Sequence, residues 1–188
     1  DILVNNAGQS MRRPVVPFPD RTLKIPEVTT ESTSRMSDAE WQNIININLN
    51  SVFYGCRAVG SHMLERKYGK IINIGSQVGK QAFPLAAPYN VTKTGIHMLT
   101  RVLALEWADY NICVNAIAPG DYKTDILKPI MDLWDSDPEA LQQVIDGIPL
   151  GRLGKLRELG ILAVYLASEA ADYMTGQVIY MDGGHTAR

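Results

Sequence analysis

Short apolar runs alternate along the chain with longer segments in which apolar residues recur every three or four positions. Four of the runs have the length of buried strands, at residues 2–4, 70–74, 112–117 and 177–181. Runs that stay largely apolar, without polar alternation, are typical of parallel strands covered on both faces. The longer segments have the period of helices that bury one face. The pattern therefore predicts an α/β protein.

Helices are predicted in the gaps between these strands. Ser37-Asp38-Ala39-Glu40 is a capping box, and the helix that it opens runs to about Lys67 with an apolar stripe from Trp41 to Met63. Further helices are predicted over about 87–107, over 124–134, after a cap at residues 136–139, and over about 156–168. Helices between successive strands favour right-handed crossovers and a Rossmann-like, doubly wound parallel sheet with three αβα layers. The length fits a single domain over residues 1–188.

The first candidate for chemistry is a tyrosine and a lysine four positions apart in the helix over 87–107, Tyr89 and Lys93. At this spacing they lie one turn apart on the same face. A phenol titrates near pH ~10, too high to exchange protons readily at neutral pH. A nearby ammonium favours the phenolate and lowers that pKa. Ser76, at a strand end, is placed to orient a substrate oxygen against the phenol, although an ordinary strand-end hydroxyl is the alternative.

Three further motifs accompany these residues. They are Asn5-Asn6-Ala7-Gly8 after the first strand, Asn48 within Ile47-Asn48-Leu49, and Asn115-Ala116-Ile117-Ala118-Pro119-Gly120 before Thr124. The carboxyl ends of parallel strands meet at one edge of a sheet, so residues from three strands are expected to converge there. In this order and spacing, the sequence resembles the short-chain dehydrogenase/reductase family from Asp1 to Gly184. The resemblance implies an oxidoreductase that moves a hydride between NAD or NADP and a secondary alcohol or ketone.

The resemblance also implies a role for each matching residue. Tyr89 is the general acid/base, Ser76 orients the substrate oxygen, and Lys93 lowers the phenol pKa and holds the nicotinamide ribose. Asn48 anchors a water that links Lys93 to solvent, or else it only satisfies backbone groups at a helix kink. The implied cofactor-binding residues, besides Tyr89 and Lys93, are Asn6, Ala7 and Gly8 along the adenosine half, and Pro119, Gly120 and Thr124 at the nicotinamide amide.

The first strands of the family's sheet and its phosphate-binding turn have no counterpart in this sequence. No Gly-x-x-x-Gly-x-Gly or Gly-x-Gly-x-x-Gly stands at a strand-to-helix junction. We therefore expect the sequence to be the C-terminal two-thirds of the domain and part of a longer enzyme. Dinucleotide binding by this chain alone, and the choice of NAD over NADP, are left open. The alternative function is a non-catalytic relative that kept the fold as a binding or scaffolding protein.

Residues 9–36 form a long connection with several prolines and no periodicity. Loops of this length in compact domains are functional lids or disordered segments. Arg12 and Arg13 stand just past the candidate site, where guanidinium groups would grip a substrate carboxylate. A solvated basic loop is the alternative. The motif from Asn5 to Arg13, together with residues 70–76 and 177–184, resembles the sugar-acid branch of the family, the gluconate 5-dehydrogenases and 2-dehydro-3-deoxygluconate 5-dehydrogenases. The long connection and Asp121 depart from that branch.

Composition narrows the partners. The chain is 46% hydrophobic and 20% charged, with a formal net charge of −2, so it forms a core but gives no reason to expect a nucleic acid or an anionic membrane surface. Cys56 and Cys113 lack a motif spacing and are typical of buried thiols in a reducing compartment, so a cytoplasmic location is expected. His62, His97 and His185 lack ligand spacing, so no metal site is predicted, and they are interpreted as surface or packing residues.

Assembly is the last expectation. The predicted helices over 37–67 and 87–107 are apolar on more than one face. The resemblance implies that such helices pair across a two-fold axis. A homo-oligomer is therefore predicted, a tetramer for the full-length protein.

Overall fold

A parallel sheet forms the centre of the structure, a computed structural model that describes residues 1–18, 34–125, 131, 134–135 and 137–187. Within these ranges the strands are β1 (Ile2–Asn5), β2 (Gly69–Ile74), β3 (Ile112–Pro119) and β4 (Val178–Met181). They lie side by side in sequence order and every pairing is parallel. β2 and β3 are buried along almost their whole length, which explains their continuous apolar character in the sequence.

The helices follow the predicted positions closely. They are α1 (Asp38–Ile45), α2 (Ser51–Arg66), α3 (Ala87–Trp107), α4 (Pro138–Asp146) and α5 (Leu156–Ala167). The capping box is present, with the Ser37 hydroxyl accepting from the Glu40 N–H and the Glu40 carboxylate accepting from the Ser37 N–H at 2.8 Å. Asp137 caps α4, whose first residue is Pro138.

The continuous helix predicted from Ser37 to Lys67 is interrupted. A π-helical turn, Asn46–Asn50, separates α1 from α2 and places Asn48 at its centre. Such turns occur mostly inside α-helices, and they are frequent at functional sites. A tertiary contact explains the π-helical turn, because the buried Asn48 side chain forms hydrogen bonds with the loop after β1. The helix ends at Arg66, and Lys67 adopts a left-handed conformation with φ of 53° that closes it.

Helices cover both faces of the sheet, which confirms the predicted three-layer architecture. Neighbouring residues of a strand point to opposite faces: Ile71 belongs to a core shared with α2 and α3, whereas Ile72 packs with Leu166 of α5. Each connection steps to the next strand in the same direction across the sheet. Helices on opposite faces therefore mean crossovers of opposite hand.

The expectation that every crossover is right-handed is thus wrong for the last one. With the usual hand for the connections through α2 and α3, the connection through α5 is left-handed. The rule holds because a short crossover helix must fold directly back onto the twisted sheet. The segment from β3 to β4 spans residues 120–177 and contains both α4 and α5, so this constraint is relaxed.

A buried ion pair lies on the face that α5 covers. Lys70 of β2 is 1% exposed, and its Nζ donates to Asp172 Oδ1 at 2.6 Å and contacts Cys113 Sγ at 3.4 Å. Burial alone would lower the pKa of Lys70, but the Asp172 carboxylate and Cys113 outweigh it and the pKa is raised. Sequence reasoning placed Lys70 in a strand without anticipating that the whole side chain is buried.

Two predicted features lie partly or wholly outside the described residues. They are the helix over 124–134 with the cap at Ser136, and residues 19–33 of the long connection. The described parts of that connection, 9–18 and 34–36, contain no helix or strand. Among the helices that the structure describes, none is long and apolar enough to cross a membrane. In the same residues no group of three His, Cys, Asp or Glu side chains is arranged to hold a metal ion.

Candidate active site

A cavity of about 420 Å³ opens at the carboxyl ends of β1, β2 and β3. Parallel strands place their following turns at one edge of the sheet, so each strand contributes residues to its wall. The residues expected from the sequence that line it are Asn6, Gly8, Arg12, Ser76, Tyr89, Lys93, Pro119, Gly120 and Thr124. Ala7 is exposed beside it, whereas Asn48 and Arg13 do not line it. The convergence expected from three separate strands is present.

Ser76 and Tyr89 both line this cavity. Ser76 is buried at the end of β2, where its hydroxyl accepts from the Val78 N–H at 3.4 Å, and Tyr89 lies near the start of α3. Burial raises the pKa of Tyr89, while Ser76 and the Arg12 guanidinium oppose the rise and the Asp121 carboxylate adds to it. The phenol is therefore protonated at neutral pH in this structure.

Lys93 lies one turn beyond Tyr89 and is 3% exposed. Its Nζ donates to the Ile74 carbonyl oxygen at 2.8 Å and lies 5.6 Å from the centroid of the Tyr89 ring. Burial lowers the pKa of Lys93 to about 8. The expected lowering of the Tyr89 pKa by Lys93 is not found, because burial dominates at Tyr89 and the cation that opposes it is Arg12.

Asn48 joins three elements at the back of the site. Its Nδ2 donates to the Gln9 carbonyl oxygen at 2.9 Å and to Thr92 Oγ1 at 3.2 Å, and its Oδ1 accepts from the Gln9 N–H at 2.8 Å. The side chain thus satisfies backbone groups of the loop after β1, and not groups of its own π-turn. It fixes that loop against α3, one residue before Lys93.

Arg12 and Arg13, which the sequence could not separate, have different environments. Arg12 lines the cavity, and its guanidinium stacks on the Phe83 ring at 5.1 Å. Arg13 pairs with Glu40 of α1 at 2.9 Å, and its N–H donates to the Leu85 carbonyl oxygen at 2.7 Å. Arg12 is therefore placed to meet a ligand, whereas Arg13 joins the loop after β1 to neighbouring segments.

Among the wall and supporting residues that sequence reasoning missed, or noted only as a departure, are Gln77, Asp121 and His185. Gln77 follows Ser76 and donates from Nε2 to Asp121 Oδ2 at 3.2 Å. His185 Nδ1 lies 3.7 Å from the same oxygen. Gln77 could have been predicted from the sequence, because it directly follows the candidate catalytic serine. Nothing in the sequence shows that the C-terminal segment returns to Asp121, so the position of His185 beside the cavity wall could not be predicted.

Fold and cavity together define an α/β protein of the Rossmann type with a serine, tyrosine and lysine at the carboxyl edge of its sheet. A family model described as enoyl-(acyl carrier protein) reductase matches residues 1–186. The chain belongs to the short-chain dehydrogenase/reductase family, as the resemblance implied.

Similar proteins include sugar-acid and steroid dehydrogenases. The chain is 39% identical over 188 residues to the 2-dehydro-3-deoxy-D-gluconate 5-dehydrogenase of Bacillus subtilis, covering 100% of this chain and 65% of the relative. It is 40% identical over 187 residues to the 3beta-hydroxysteroid dehydrogenase 1 of Eggerthella lenta, covering 99% of this chain and 63% of the relative. The crystal structure of a gluconate 5-dehydrogenase from Burkholderia cenocepacia in complex with NADP and tartrate is 34% identical, with a TM-score of 0.85. That comparison covers 100% of this chain and 65% of the other. The chain thus spans just under two thirds of the length of these relatives.

Proposed function

We propose that this protein is an NAD- or NADP-dependent oxidoreductase that interconverts a secondary alcohol and a ketone. The observation that carries the proposal is the meeting of Ser76, Tyr89 and Lys93 at one cavity. General acid–base catalysis needs a proton-bearing group within hydrogen-bond reach of the substrate oxygen. Membership of a family whose similar members are named dehydrogenases supports this function over a non-catalytic binding or scaffolding role.

Ser76 and Tyr89 have distinct roles in the proposed reaction. Ser76 donates a hydrogen bond to the substrate oxygen and holds it against the phenol. Tyr89 gives its proton to that oxygen when a ketone is reduced and takes it back when an alcohol is oxidised. Tyr89 carries its proton in the described structure, which is the form that a ketone reduction starts from. When bound, the nicotinamide supplies or accepts the hydride.

The donors of the site fit a nicotinamide nucleotide. An ammonium group has three N–H donors, and in the described structure Lys93 uses one of them on Ile74. The other two are available for ribose hydroxyls at the cavity wall. Pro119, Gly120 and Thr124 line the same cavity and are proposed to contact the nicotinamide amide. Asn6, Ala7 and Gly8 are proposed to lie along the adenosine half.

Asn48 is proposed to support the site through the loop after β1. It holds the backbone of Gln9, three residues before Arg12, and contacts Thr92 next to Lys93. A water between Asn48 and Lys93, as the family resemblance implies, is compatible with this position, because the Asn48 oxygen has a second lone pair.

The proposed substrate is a hydroxylated acid of the sugar-acid class. Arg12 is the guanidinium group at the described cavity wall, and guanidinium groups recognise carboxylates with two parallel hydrogen bonds. Asp121 on the same wall offers acceptors for substrate hydroxyls. Two of the similar proteins are named for gluconate-type substrates, although the similarity to a steroid dehydrogenase is as high.

A homo-oligomer, a tetramer for the full-length protein, is the proposed assembly. Large apolar side chains are exposed on α2 and α3, among them Phe53, Tyr54, Met98, Val102 and Leu105. A second group on α5 includes Ile161 and Val164. Exposed apolar patches of this kind mark interaction surfaces, and two separate patches suit the two interfaces of a tetramer with dihedral symmetry.

Cys56 and Cys113 are free and buried, which supports a reducing, cytoplasmic location.

The function is tested by following nicotinamide absorbance with a panel of ketones and alcohols. The panel pairs each sugar acid with a neutral polyol of similar length and includes a hydroxysteroid. Turnover with any substrate that is strongly lowered, but still measurable, in Ser76→Ala supports the proposal. A protein that binds NADPH or NADH but turns over none of the panel contradicts it.

A further inference from the structure

His97 is a buried imidazole that has no part in the chemistry proposed above. It lies on α3 one turn beyond Lys93 and is 4% exposed. Burial, together with the charges of Arg101 and Lys93, lowers its pKa to about 4, so the ring is neutral in any ordinary assay. Its Nε2 has no hydrogen-bond partner among the described residues. An unpaired buried polar atom lowers the stability of the fold. Because the His97 ring gains no hydrogen bond at Nε2 from the described residues, a role in packing is needed to explain its buried position.

Two glycines on either side of Ser76 make room for the ring. A Cβ atom at Gly75 would overlap with His97 Nε2, and a Cβ atom at Gly79 would overlap with His97 Cε1. The imidazole therefore touches the backbone at both ends of the turn from Gly75 to Gly79. Ser76 lies within this turn, so the ring fills the space between the catalytic turn and α3.

The turn and the ring are also held from the side of β4. The His97 and Tyr180 rings make an edge-to-face contact, with centroids 5.9 Å apart and an interplanar angle of 88°. Lys80, directly after the turn, lies over the Tyr180 ring at 5.3 Å and donates to the Thr186 carbonyl oxygen at 2.7 Å. With both sides held, movement of the turn toward α3 is blocked by the imidazole.

We propose that His97 is a positioning residue that sets the distance between the Ser76 hydroxyl and the Tyr89 hydroxyl. Tyr89, Lys93 and His97 lie on successive turns of α3, at four-residue spacing. Tyr89 acts on the substrate oxygen, Lys93 holds the ribose, and His97 determines how closely the Ser76 turn approaches them. Without the ring, the turn is free to settle toward α3 and the serine hydroxyl leaves its place opposite the phenol. The inference rests on the proposed roles of Ser76 and Tyr89.

A double-mutant cycle between His97 and Ser76 tests the inference. His97→Ala is expected to lower kcat about tenfold to a hundredfold, the loss that misplacement by about 1 Å produces, with little change in the dinucleotide KM. In a Ser76→Ala background the same substitution is expected to change kcat less than about threefold, because the group it positions is gone. Since the Ser76 hydroxyl favours the Tyr89 phenolate, His97→Ala is also expected to shift the acidic limb of the oxidation profile upward.

Ile96→Ala is the matched control. Ile96 is the neighbouring residue on α3, fully buried in the core shared with α2, and its truncation leaves a cavity away from the Ser76 turn. It is expected to lower stability and to change kcat by the same factor with or without Ser76. The same behaviour from His97→Ala, or from the milder His97→Asn if the alanine variant is too unstable, overturns the inference. If Ser76→Ala keeps full turnover, the proposed function itself is wrong.

A size-complementation test gives an independent readout. Gly75→Ala adds a methyl group where the His97 ring lies, and it is expected to lower kcat by displacing the turn. Removing the ring in Gly75→Ala/His97→Ala makes space for that methyl group, so kcat is expected to recover relative to Gly75→Ala alone. A double variant that is no more active than Gly75→Ala contradicts a contact that positions the turn.

Discussion

The Lys93 ammonium donates a hydrogen bond to the Ile74 carbonyl oxygen at 2.8 Å, at the end of the strand that leads to Ser76. The charge is 3% exposed, and no carboxylate is among the causes that shift its pKa. A buried charge of this kind is costly to the fold. Its retention beside Tyr89 is consistent with a residue kept for catalysis at the expense of stability.

Lys93→Met is expected to remove activity and to change how stability depends on pH. Burial lowers the pKa of Lys93 to about 8 in the folded state, from 10.5 as the reference value. Below pH 8 the ammonium is charged in both the folded and the unfolded state, and the folded state carries the free-energy cost of removing it from water. Between these values the unfolded chain binds more protons, so the stability of the wild type rises with pH.

Relative to Lys93→Met, the wild type is therefore expected to gain roughly 3 kcal/mol between the two pKa values. Urea unfolding at several pH values, with the exposed Lys123→Met as the control, measures this difference. A wild-type stability that falls relative to Lys93→Met over the same range would show that the buried charge has been assigned wrongly.

Tyr89→Phe keeps the ring and its packing but removes the proton that must move with the hydride. The fold and dinucleotide affinity are expected to survive, because the hydroxyl acts mainly in the transition state. General acid–base catalysis contributes about 10²–10⁴-fold, so kcat is expected to fall by that factor. Steady-state kinetics and a dinucleotide titration check both parts, with the exposed Tyr68→Phe as the control. Near-normal turnover by Tyr89→Phe would exclude the proposed mechanism.

The positions of the candidate catalytic residues were predictable because they follow from local patterns. The four-residue spacing of Tyr89 and Lys93 is a helix property, and the place of Ser76 follows from the end of an apolar strand. The direction of the Tyr89 pKa shift was not predictable, because it depends on how much water the folded chain excludes. The π-turn at Asn48 likewise depends on Gln9, which is distant in sequence.

The two arginines show the same limit. Arg12 and Arg13 are adjacent and chemically identical, so no sequence pattern assigns one to the cavity. Glu40 at the start of α1 and the Leu85 carbonyl group hold Arg13, and this arrangement exists only once the chain has folded. The hand of the last crossover is a fold-level example, since it depends on the length of the connection through α4 and α5.

Arg12→Ala and Arg13→Ala are expected to differ in their effect on substrates. Loss of a charge-assisted contact to a carboxylate costs roughly 1.5–3 kcal/mol, or about ten- to hundredfold in kcat/KM. Arg12→Ala is expected to show this loss with a sugar acid and little loss with a neutral polyol. Arg13→Ala, the matched control, is expected to change kcat/KM by the same factor for both substrates. Equal losses on both substrates from Arg12→Ala would favour the solvated-loop interpretation.

The apolar surface of α3 gives a prediction about assembly. Leu105 is 82% exposed and Val102 is 40% exposed on the same helix. If this surface is an interface, Leu105→Glu buries an unpaired charge and is expected to shift the protein to a smaller species. Light scattering at micromolar concentration measures the change, and Val15→Glu, at an exposed apolar position outside the helices, is the control. A wild-type protein that is already monomeric would refute the proposed oligomer.

The ion pair between Lys70 and Asp172 gives a prediction about stability in which the two partners are not equivalent. Lys70 is 1% exposed, whereas the Asp172 side chain retains 61% exposure. Asp172→Asn leaves a buried ammonium without its carboxylate, and removing one partner of a buried pair typically costs about 3–5 kcal/mol. Because water reaches Asp172, we expect a smaller loss of roughly 2–3 kcal/mol.

Lys70→Met removes the buried charge and leaves Asp172 in contact with solvent, so its cost is expected to be clearly smaller than that of Asp172→Asn. Urea unfolding of both variants measures the order. Since Lys70 lies in β2 away from the cavity, dinucleotide affinity is expected to be unchanged in both. If Lys70→Met proves the more damaging substitution, packing of the lysine stem, and not its charge, determines the contribution of this pair.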